Sequence, residues 1–417
     1  MTSYPRQILY ISYNGMLDAL GQSQVLPYLR KLSKEGFVFT LLSFERRPSL
    51  ESAGAAGCRE LHDQLAADRI EWNWLRYHQK PSLPATTYDV LQGLRYAQKL
   101  VRRNKIEMVH ARSHIPAIIS LGLKRRFQLK MIFDVRGLMA DEYVDAEHWR
   151  KDGLRYRLVK GVERRALAAA DGIVTLTERI WPIIKSDNGL TDSKINHEVI
   201  PCCVDLELFR FSSEDRKRRR QELQLGEAQR VLVYSGSIGG WYLTDKMADL
   251  FALMKRRQSN WHFLWLTTGP DEPIRKLMSE REIRESDHTI RKVSQRDVAS
   301  YLSAADAGLA FYKPAPSRLA TSPVKVSEYL ACGLPLIINA GIGDSDSLVK
   351  ENQVGVVVSD FNSSEYERAT TGIVKLVSEA ETSRNRSRLV AERCFDLQTI
   401  GAPRYTRLYE AVLNSNN

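Results

Sequence analysis

The chain has 417 residues, 43% hydrophobic and 27% charged, with a formal net charge of +11. At about 150 residues per domain this length holds two or three domains, and the apolar share excludes wholesale disorder. No run approaches the roughly 20 apolar residues that cross a bilayer, which excludes an integral membrane protein. The opening MTSYPRQILYIS has no basic stretch ahead of a long apolar core, so no secretory signal is expected. The five cysteines, Cys58, Cys202, Cys203, Cys332 and Cys394, form no CxxC pair and no even framework. A reducing, cytoplasmic compartment and no structural zinc follow as expectations.

In chain order, strand-like apolar runs alternate with helix-length amphipathic segments. The first half predicts strands at QILYIS (7–12), FVFTLLSF (37–44), IEWNWLR (70–76), IEMVHA (106–111), KMIFDV (130–135), GIVTLT (172–177) and EVIP (198–201). Helical segments between them include 23–36 and 153–171. The alternation restarts at RVLVYSG (230–236) and continues through HFLWLTT (262–268), HTIRKV (288–293), AGLAFY (307–312), PLIIN (335–339) and VGVVVS (354–359). Such alternation builds α/β units with parallel sheets. The polar stretch 202–229 reads as a linker into a short helix, and 403–415 as a final amphipathic helix.

The expected architecture is two doubly wound, Rossmann-like units of similar size. The first spans 1–205, with the helix at 400–415 packing back on it, and the second spans 206–399. Such sheets bind ligands beyond their C-terminal strand ends, so two units facing each other would make a cleft.

The charge is uneven: residues 1–210 hold 32 Lys and Arg against 24 Asp and Glu, and residues 211–417 hold 29 against 26. The surplus sits in runs such as LKRRF (123–127) and 149–165. It reads either as solvated helix faces or as attraction to an anionic membrane surface. The runs lack interleaved aromatics and a binding module, so nucleic acid is not an expected partner.

The most informative stretch is TSPVKVSEYLACGLPLIINAGIGD (321–344). A helix begins near Pro323, with Ser322 placed to cap it and its N-terminal end suited to a phosphate. Lys325 and Glu328 share one face of its first turns. A cation beside phosphates and a carboxylate accepting ribose hydroxyls suit a nucleoside diphosphate. Spacing alone equally allows a surface Lys–Glu pair.

PVKVSEYLACGLPLI resembles the P-x-K-x-x-E-Y-x-A-x-G-x-P-x-I segment of glycosyltransferase family 4, the retaining GT-B enzymes. IVTLTE (173–178), VIPCCVDLELF (199–209) and the GIGD turn (341–344) resemble further family segments in the same order. The resemblance implies that Glu328 holds the donor ribose, that Lys325 lies by the pyrophosphate, and that backbone near Val293 and Ser294 meets the base. It also places Gly341 in a loop beside the donor. Two family positions differ: Ala320 stands where a second glutamate is usual, and Ser237 follows Gly236 where an arginine is usual. Lys246 resembles the same motif's lysine at a longer spacing, and Lys313 and Arg318 are the candidate replacements for the arginine or else solubility charges of their loop.

The first strand leads into SYNGMLDALGQSQ (12–24), which is not G-x-G-x-x-G, so hydride chemistry is not expected. The related enzymes place a glycine-rich loop here, facing pyrophosphate and acceptor. Gly21 and Gly15 match it, as phosphate-approach glycines or as plain turn glycines. The segment 133–149 reads as an acidic loop at a strand's C-terminal end, where an α/β cleft puts reactive groups. Asp134 and Arg136 are candidate catalytic groups there, or an internal ion pair. Asp141, Glu142, His110 and His114 are candidates on the acceptor side, the histidines equally readable as packed residues.

The expectation for function is a retaining glycosyltransferase that moves a sugar from a UDP- or GDP-sugar to a glycan or lipid-linked acceptor. No cofactor or metal is expected, DSD (344–346) reading as a helix cap. Contact with the inner membrane face is an allied expectation. The alternatives are a nucleotide-sugar-binding partner subunit without catalysis and a GT-B-type sugar-nucleotide epimerase.

Overall fold

A computed structural model describes residues 6–190 and 195–415. The chain divides into two compact units, Met1–Pro201 with Leu397–Asn417, and Cys202–Asp396. The first contains a seven-stranded parallel sheet in the order β3-β2-β1-β4-β5-β6-β7. Its strands are β1 (Arg6–Ser12), β2 (Phe37–Glu45), β3 (Ile70–Arg76), β4 (Met108–Arg112), β5 (Lys130–Val135), β6 (Gly172–Thr175) and β7 (Asn196–Val199). The second contains a six-stranded parallel sheet in the order β10-β9-β8-β11-β12-β13. Its strands are β8 (Arg230–Ser235), β9 (Trp261–Leu266), β10 (His288–Arg291), β11 (Ala307–Ala310), β12 (Leu336–Asn339) and β13 (Gly355–Val358).

The central strands read as continuous apolar runs because helices cover both faces of each sheet. β9, WHFLWL, is buried at every residue. Strand order reverses between β1 and β4 in the first sheet and between β8 and β11 in the second. At such a reversal the connecting loops leave in opposite directions and open a crevice outside the strands' C-terminal ends.

Two helices differ from the sequence reading. The segment expected as one helix over 23–36 forms Ala19–Gln24 and Leu26–Lys34, broken at Val25, two residues before Pro27. The acidic stretch expected as a loop contains the helix Met139–Asp145. At the C-terminus, helix Ala402–Asn414 buries Tyr405, Leu408, Tyr409 and Val412 within the first unit.

Candidate functional site

In the second unit, the reversal between β8 and β11 gathers three tyrosines. Tyr234 lies in β8, Tyr242 follows the glycine-containing loop after β8, and Tyr312 follows β11 and bridges to Tyr242. Helix Val324–Ala331 starts at the same sheet edge, because a helix that follows a parallel strand returns antiparallel to it. Lys325, in its first turn, is 6% exposed. Its Nζ stands 3.9 Å from the Tyr242 ring centre, 4.8 Å from that of Tyr234 and 5.0 Å from that of Tyr312. Among the described residues it forms no ion pair. Burial pulls its pKa down to about 7, against the attraction of Glu328.

Gly236 completes this enclosure. Its φ of +145° favours glycine, and a Cβ there would sit 2.9 Å from Lys325 Nζ. The ammonium therefore faces open backbone on one side and aromatic faces on the others, which attract a cation without supplying a counter-ion.

Glu328 lies one helical turn on, also 6% exposed. Gln295 Nε2 donates to its Oε1 at 3.1 Å. Burial pushes its pKa up to about 7, against that hydrogen bond and the charge of Lys325. The helix carrying both groups is anchored by Tyr329. Ser235 N–H donates to Tyr329 Oη at 2.6 Å, and the ring lies on Gly308 of β11, where a Cβ would approach it to 2.4 Å. At the helix start, the expected cap is not made. Pro323 is the N-cap, and Ser322 Oγ instead accepts from Cys202 N–H at 3.1 Å. Ser327 Oγ donates to the Cys202 carbonyl at 2.8 Å, so both backbone groups of Cys202 are held at the start of this helix.

The other donor-side candidates separate into two groups. Arg318 comes to the cluster: its guanidinium lies 3.9 Å from the Trp241 ring centre, next to Tyr242. Lys313 N–H donates to the Trp241 carbonyl at 2.8 Å, and its side chain is half-buried. Lys246 does not join them. It lies 3.6 Å from both Asp245 and Asp249 on the helix Thr244–Arg257. Ser237 offers its carbonyl to the Tyr234 hydroxyl. Ser294 Oγ donates to Asp297 at 2.7 Å, and Val293 packs on the core. Gly341 N–H donates to Asp346 at 3.3 Å, so it is Asp346 that braces the GIGD turn. Asp344, the N-cap of the following helix, makes no side-chain cap. Among the described residues no three His, Cys, Asp or Glu side chains group to hold a metal ion.

In the first unit the structure reassigns several candidates. Gly21 is helical and buried, and a Cβ on it would meet the Gly15 carbonyl at 2.2 Å. It is a packing glycine rather than a turn or phosphate-approach residue. A Cβ on Gly15 would meet Glu45 Oε2 at 2.4 Å. Glu45, fully buried, accepts from Met16 N–H at 2.7 Å and Leu17 N–H at 3.2 Å, and Ser43 Oγ donates to it at 2.6 Å. The amides expected to meet a pyrophosphate therefore already hold an internal carboxylate.

Asp134 is 0% exposed, which corrects its assignment as a group that meets substrate. Tyr405 Oη donates to it at 3.0 Å, and Arg136 and His110 lie 3.7 and 3.5 Å away. Burial raises its pKa, but Arg136, His110 and Arg112 outweigh that and hold it at about 2. His110 is likewise internal, with Nδ1 2.7 Å from the Tyr409 hydroxyl and its ring stacked on Tyr10. Burial lowers its pKa, against the hydrogen bond and the charge of Asp134. His114 is buried against Glu163 at 2.9 Å. Asp141 accepts from Tyr156 and Lys160, both at 3.0 Å, and Glu142 packs under Gly137. Arg136 and the unpredicted Arg112, at the end of β4 and donating to Asn14 at 3.2 Å, are the cations at this sheet's reversal.

Comparison with known proteins supplies the frame for this geometry. Residues 23–208 match the family described as Glycosyltransferase Family 4, and residues 215–389 match Glycosyl transferases group 1. A putative teichuronic acid biosynthesis glycosyltransferase, TuaH of Bacillus subtilis (strain 168), is 28% identical over 185 residues. That match spans 44% of each protein, so less than half the length of this relative is covered. Among solved structures, sucrose-phosphate synthase of Thermosynechococcus elongatus aligns over 99% of this chain and 100% of its own, with TM-score 0.74 and 15% identity. Anabaena HepE in complex with UDP-glucose aligns over 97% and 99%, with TM-score 0.69 and 14% identity. At such identities the structural likeness speaks for the fold, which is GT-B: two parallel-sheet α/β units. With two adjoining family matches running from residue 23 to residue 389, the chain belongs to the group 1, family 4 glycosyltransferases.

Proposed function

We propose that this protein transfers a sugar from a UDP- or GDP-sugar to a hydroxyl of a glycan or lipid-linked acceptor, with retention at the anomeric carbon, in cell-surface polysaccharide or glycoconjugate assembly. The observation that carries the reading is Lys325, a buried ammonium with no ion-pair partner among the described residues, at the sheet reversal of the second unit. Glycosyl transfer breaks the bond from the sugar C1 to the diphosphate, and negative charge builds on the departing phosphate. A fixed cation in a water-poor site stabilises that charge far more than one in water. Lys325 supplies the cation, with the N-terminal end of its helix beside it. Glu328, held by Gln295, accepts the ribose hydroxyls. Arg318, stacked on Trp241, stands in for the arginine that Ser237 replaces.

The names of relatives support this reading: TuaH is described as acting in teichuronic acid biosynthesis, and HepE was solved with UDP-glucose. Work at the inner face of a membrane belongs to the same proposal. The basic surplus of the first half supports it, and no described helix is long and apolar enough to cross a membrane.

Calorimetric titration with UDP and GDP, on the native chain and on Glu328→Ala, tests the donor site. One nucleotide binds the native chain, and the substitution weakens it at least about tenfold, the loss of one charged hydrogen-bonding group. Binding unaffected by Glu328→Ala removes the assigned role. Nucleotide-sugar binding without transfer to any acceptor selects the inactive partner subunit, and a new sugar formed without acceptor selects an epimerase.

A further inference from the structure

In the second unit β10 is an edge strand, paired with β9 on one side only. A cavity of about 430 Å³ runs along its open side, within the size range of sites that hold small molecules. The near wall is built from residues of 285–291. The far wall is the end of helix Ser213–Glu222 and the turn after it. Arg275 reaches the rim from helix Glu272–Ser279. The cavity lies wholly within the second unit, and neither Lys325 nor Glu328 nor the three tyrosines around Lys325 border it.

Two side chains of the near wall have bonding capacity that the fold does not use. His288 is 5% exposed, and its Nδ1 lies 3.1 Å from the Arg284 carbonyl. A carbonyl only accepts, so Nδ1 carries the hydrogen and Nε2 of the neutral ring is an acceptor. Among the described residues Nε2 has no hydrogen-bond partner, and the carboxylate facing it, Glu285 at 3.9 Å, is another acceptor. A donor such as a hydroxyl reconciles the two. Arg291, exposed, donates only to the neighbouring Ile290 carbonyl at 3.2 Å and forms no ion pair among the described residues. Glu222, the carboxylate that feels its charge, is already held by Tyr301 at 2.6 Å and Arg219 at 2.7 Å.

The strand edge adds backbone groups. The Arg291 carbonyl accepts from Thr267 N–H towards β9, so the alternation of a strand turns the Ile290 carbonyl to the open side, where Arg291 meets it. Across the cavity Leu223 and Leu225 present apolar carbon. A guanidinium without an anion, a buried imidazole acceptor, an open strand edge and two leucines opposite call for a ligand that is anionic, hydroxylated and apolar on one face. We propose that this cavity is a second saccharide site, which binds a monosaccharide carrying a phosphate or a carboxylate. Its anionic group pairs with Arg291, its hydroxyls donate to His288 Nε2 and the Ile290 carbonyl, and the C–H face of its ring lies on the leucines. Bare phosphate leaves the imidazole and the leucines unmet, and an uncharged sugar leaves the guanidinium unmet.

Calorimetric titration of the full chain with glucose 1-phosphate, glucuronate, glucose and inorganic phosphate tests this. At least one of the two sugar anions binds, about tenfold or more tightly than glucose or phosphate, and which of them binds identifies the anionic group. Arg291→Ala, and separately His288→Gln, weaken that binding about tenfold or more, while Glu328→Ala leaves it at the native level. Arg291 is exposed, so its replacement keeps the fold even where that of buried His288 does not. No binding of either sugar anion, phosphate bound as tightly as the sugar anion, or binding unchanged by Arg291→Ala overturns the proposal. A loss on Glu328→Ala without one on Arg291→Ala also overturns it and gives the sugar to the donor site. The readout needs neither nucleotide nor turnover, so its failure leaves the donor assignment standing.

Discussion

The ammonium of Lys325 lies 3.9 Å from the centre of the Tyr242 ring and pairs with no carboxylate among the described residues. Its pKa is about 7 in the fold against 10.5 for the free side chain. Between those values the unfolded chain holds a proton that the folded chain has released, so stability rises with pH. Below about 7 the full cost of a buried charge is present. Glu328 runs the other way, at about 7 against 4.5: the folded chain holds the extra proton between them, and its contribution falls as pH rises. The pair is least favourable near pH 7. Lys325→Met should therefore stabilise the fold at pH 6, by on the order of 3 kcal/mol, with the gain closing towards pH 10. Urea unfolding at several pH values reads this directly. A loss of stability at pH 6 would show that the ammonium is compensated after all.

Glu45 makes a second prediction, since its carboxylate holds the amides of Met16 and Leu17. Glu45→Ala leaves two N–H groups and the Ser43 hydroxyl without their acceptor. A loss of about 2–3 kcal/mol in unfolding free energy is expected for charge-assisted hydrogen bonds of this kind. Hydrogen exchange at Met16 and Leu17 should quicken well beyond the change at β4. Exchange that quickens equally everywhere would mean that Glu45 supports the whole sheet rather than this loop.

The inner strands were legible because a parallel sheet covered on both faces makes each one a near-continuous apolar run, as WHFLWL and LIIN show, whereas the edge strand IEWNWLR alternates buried and exposed residues. Lys325 and Glu328 were legible because PVKVSEYLACGLPLI resembles a family segment; their spacing of one helical turn fitted a shared face but equally allowed a surface pair. What surrounds them was not. Tyr234, Tyr242 and Tyr312 meet only because β8 and β11 are neighbours, and nothing local in the chain marks the three as one enclosure. Gln295 carries no signal beyond its place shortly after β10. Ser322 sits where a capping residue belongs, yet its hydroxyl is taken by Cys202, a contact 120 residues away in sequence. In the first unit, the density of acidic residues over 133–149 reads as a reactive loop. Asp134 instead turns into the core and Asp141 braces neighbouring helices, since both find donors on segments remote in sequence.

Asp134 separates a positioning role from a chemical one. Its pKa of about 2 against 3.8 means its ionic contribution is present above pH 3.8 and is lost as pH falls through about 2. Asp134→Asn keeps the shape but removes the negative charge that faces Arg136, His110 and Arg112. An unfolding penalty of about 3 kcal/mol at pH 6 is expected, shrinking to little at pH 2. Turnover per folded molecule, measured well below the lowered Tm, should stay within a few-fold of native. A loss of several orders of magnitude in kcat with the fold intact would return Asp134 to the reacting groups.

Gly308 tests how the donor helix is held. A Cβ there would stand 2.4 Å from the Tyr329 ring, which has no free side to retreat to because its hydroxyl accepts from Ser235 N–H. Gly308→Ala should cost about 1–3 kcal/mol through overpacking. Because Tyr329 sits next to Glu328 on the helix, the displaced ring should also carry the carboxylate off Gln295 and weaken nucleotide binding. Tyr329→Phe in the same background relieves the tether to Ser235 and lets the ring slide. Combining the two should therefore recover part of the stability lost to Gly308→Ala, a coupling that a double-mutant cycle measures. Strict additivity of the two losses would mean that ring and hydroxyl act independently, and that the strand–helix contact does not position Glu328.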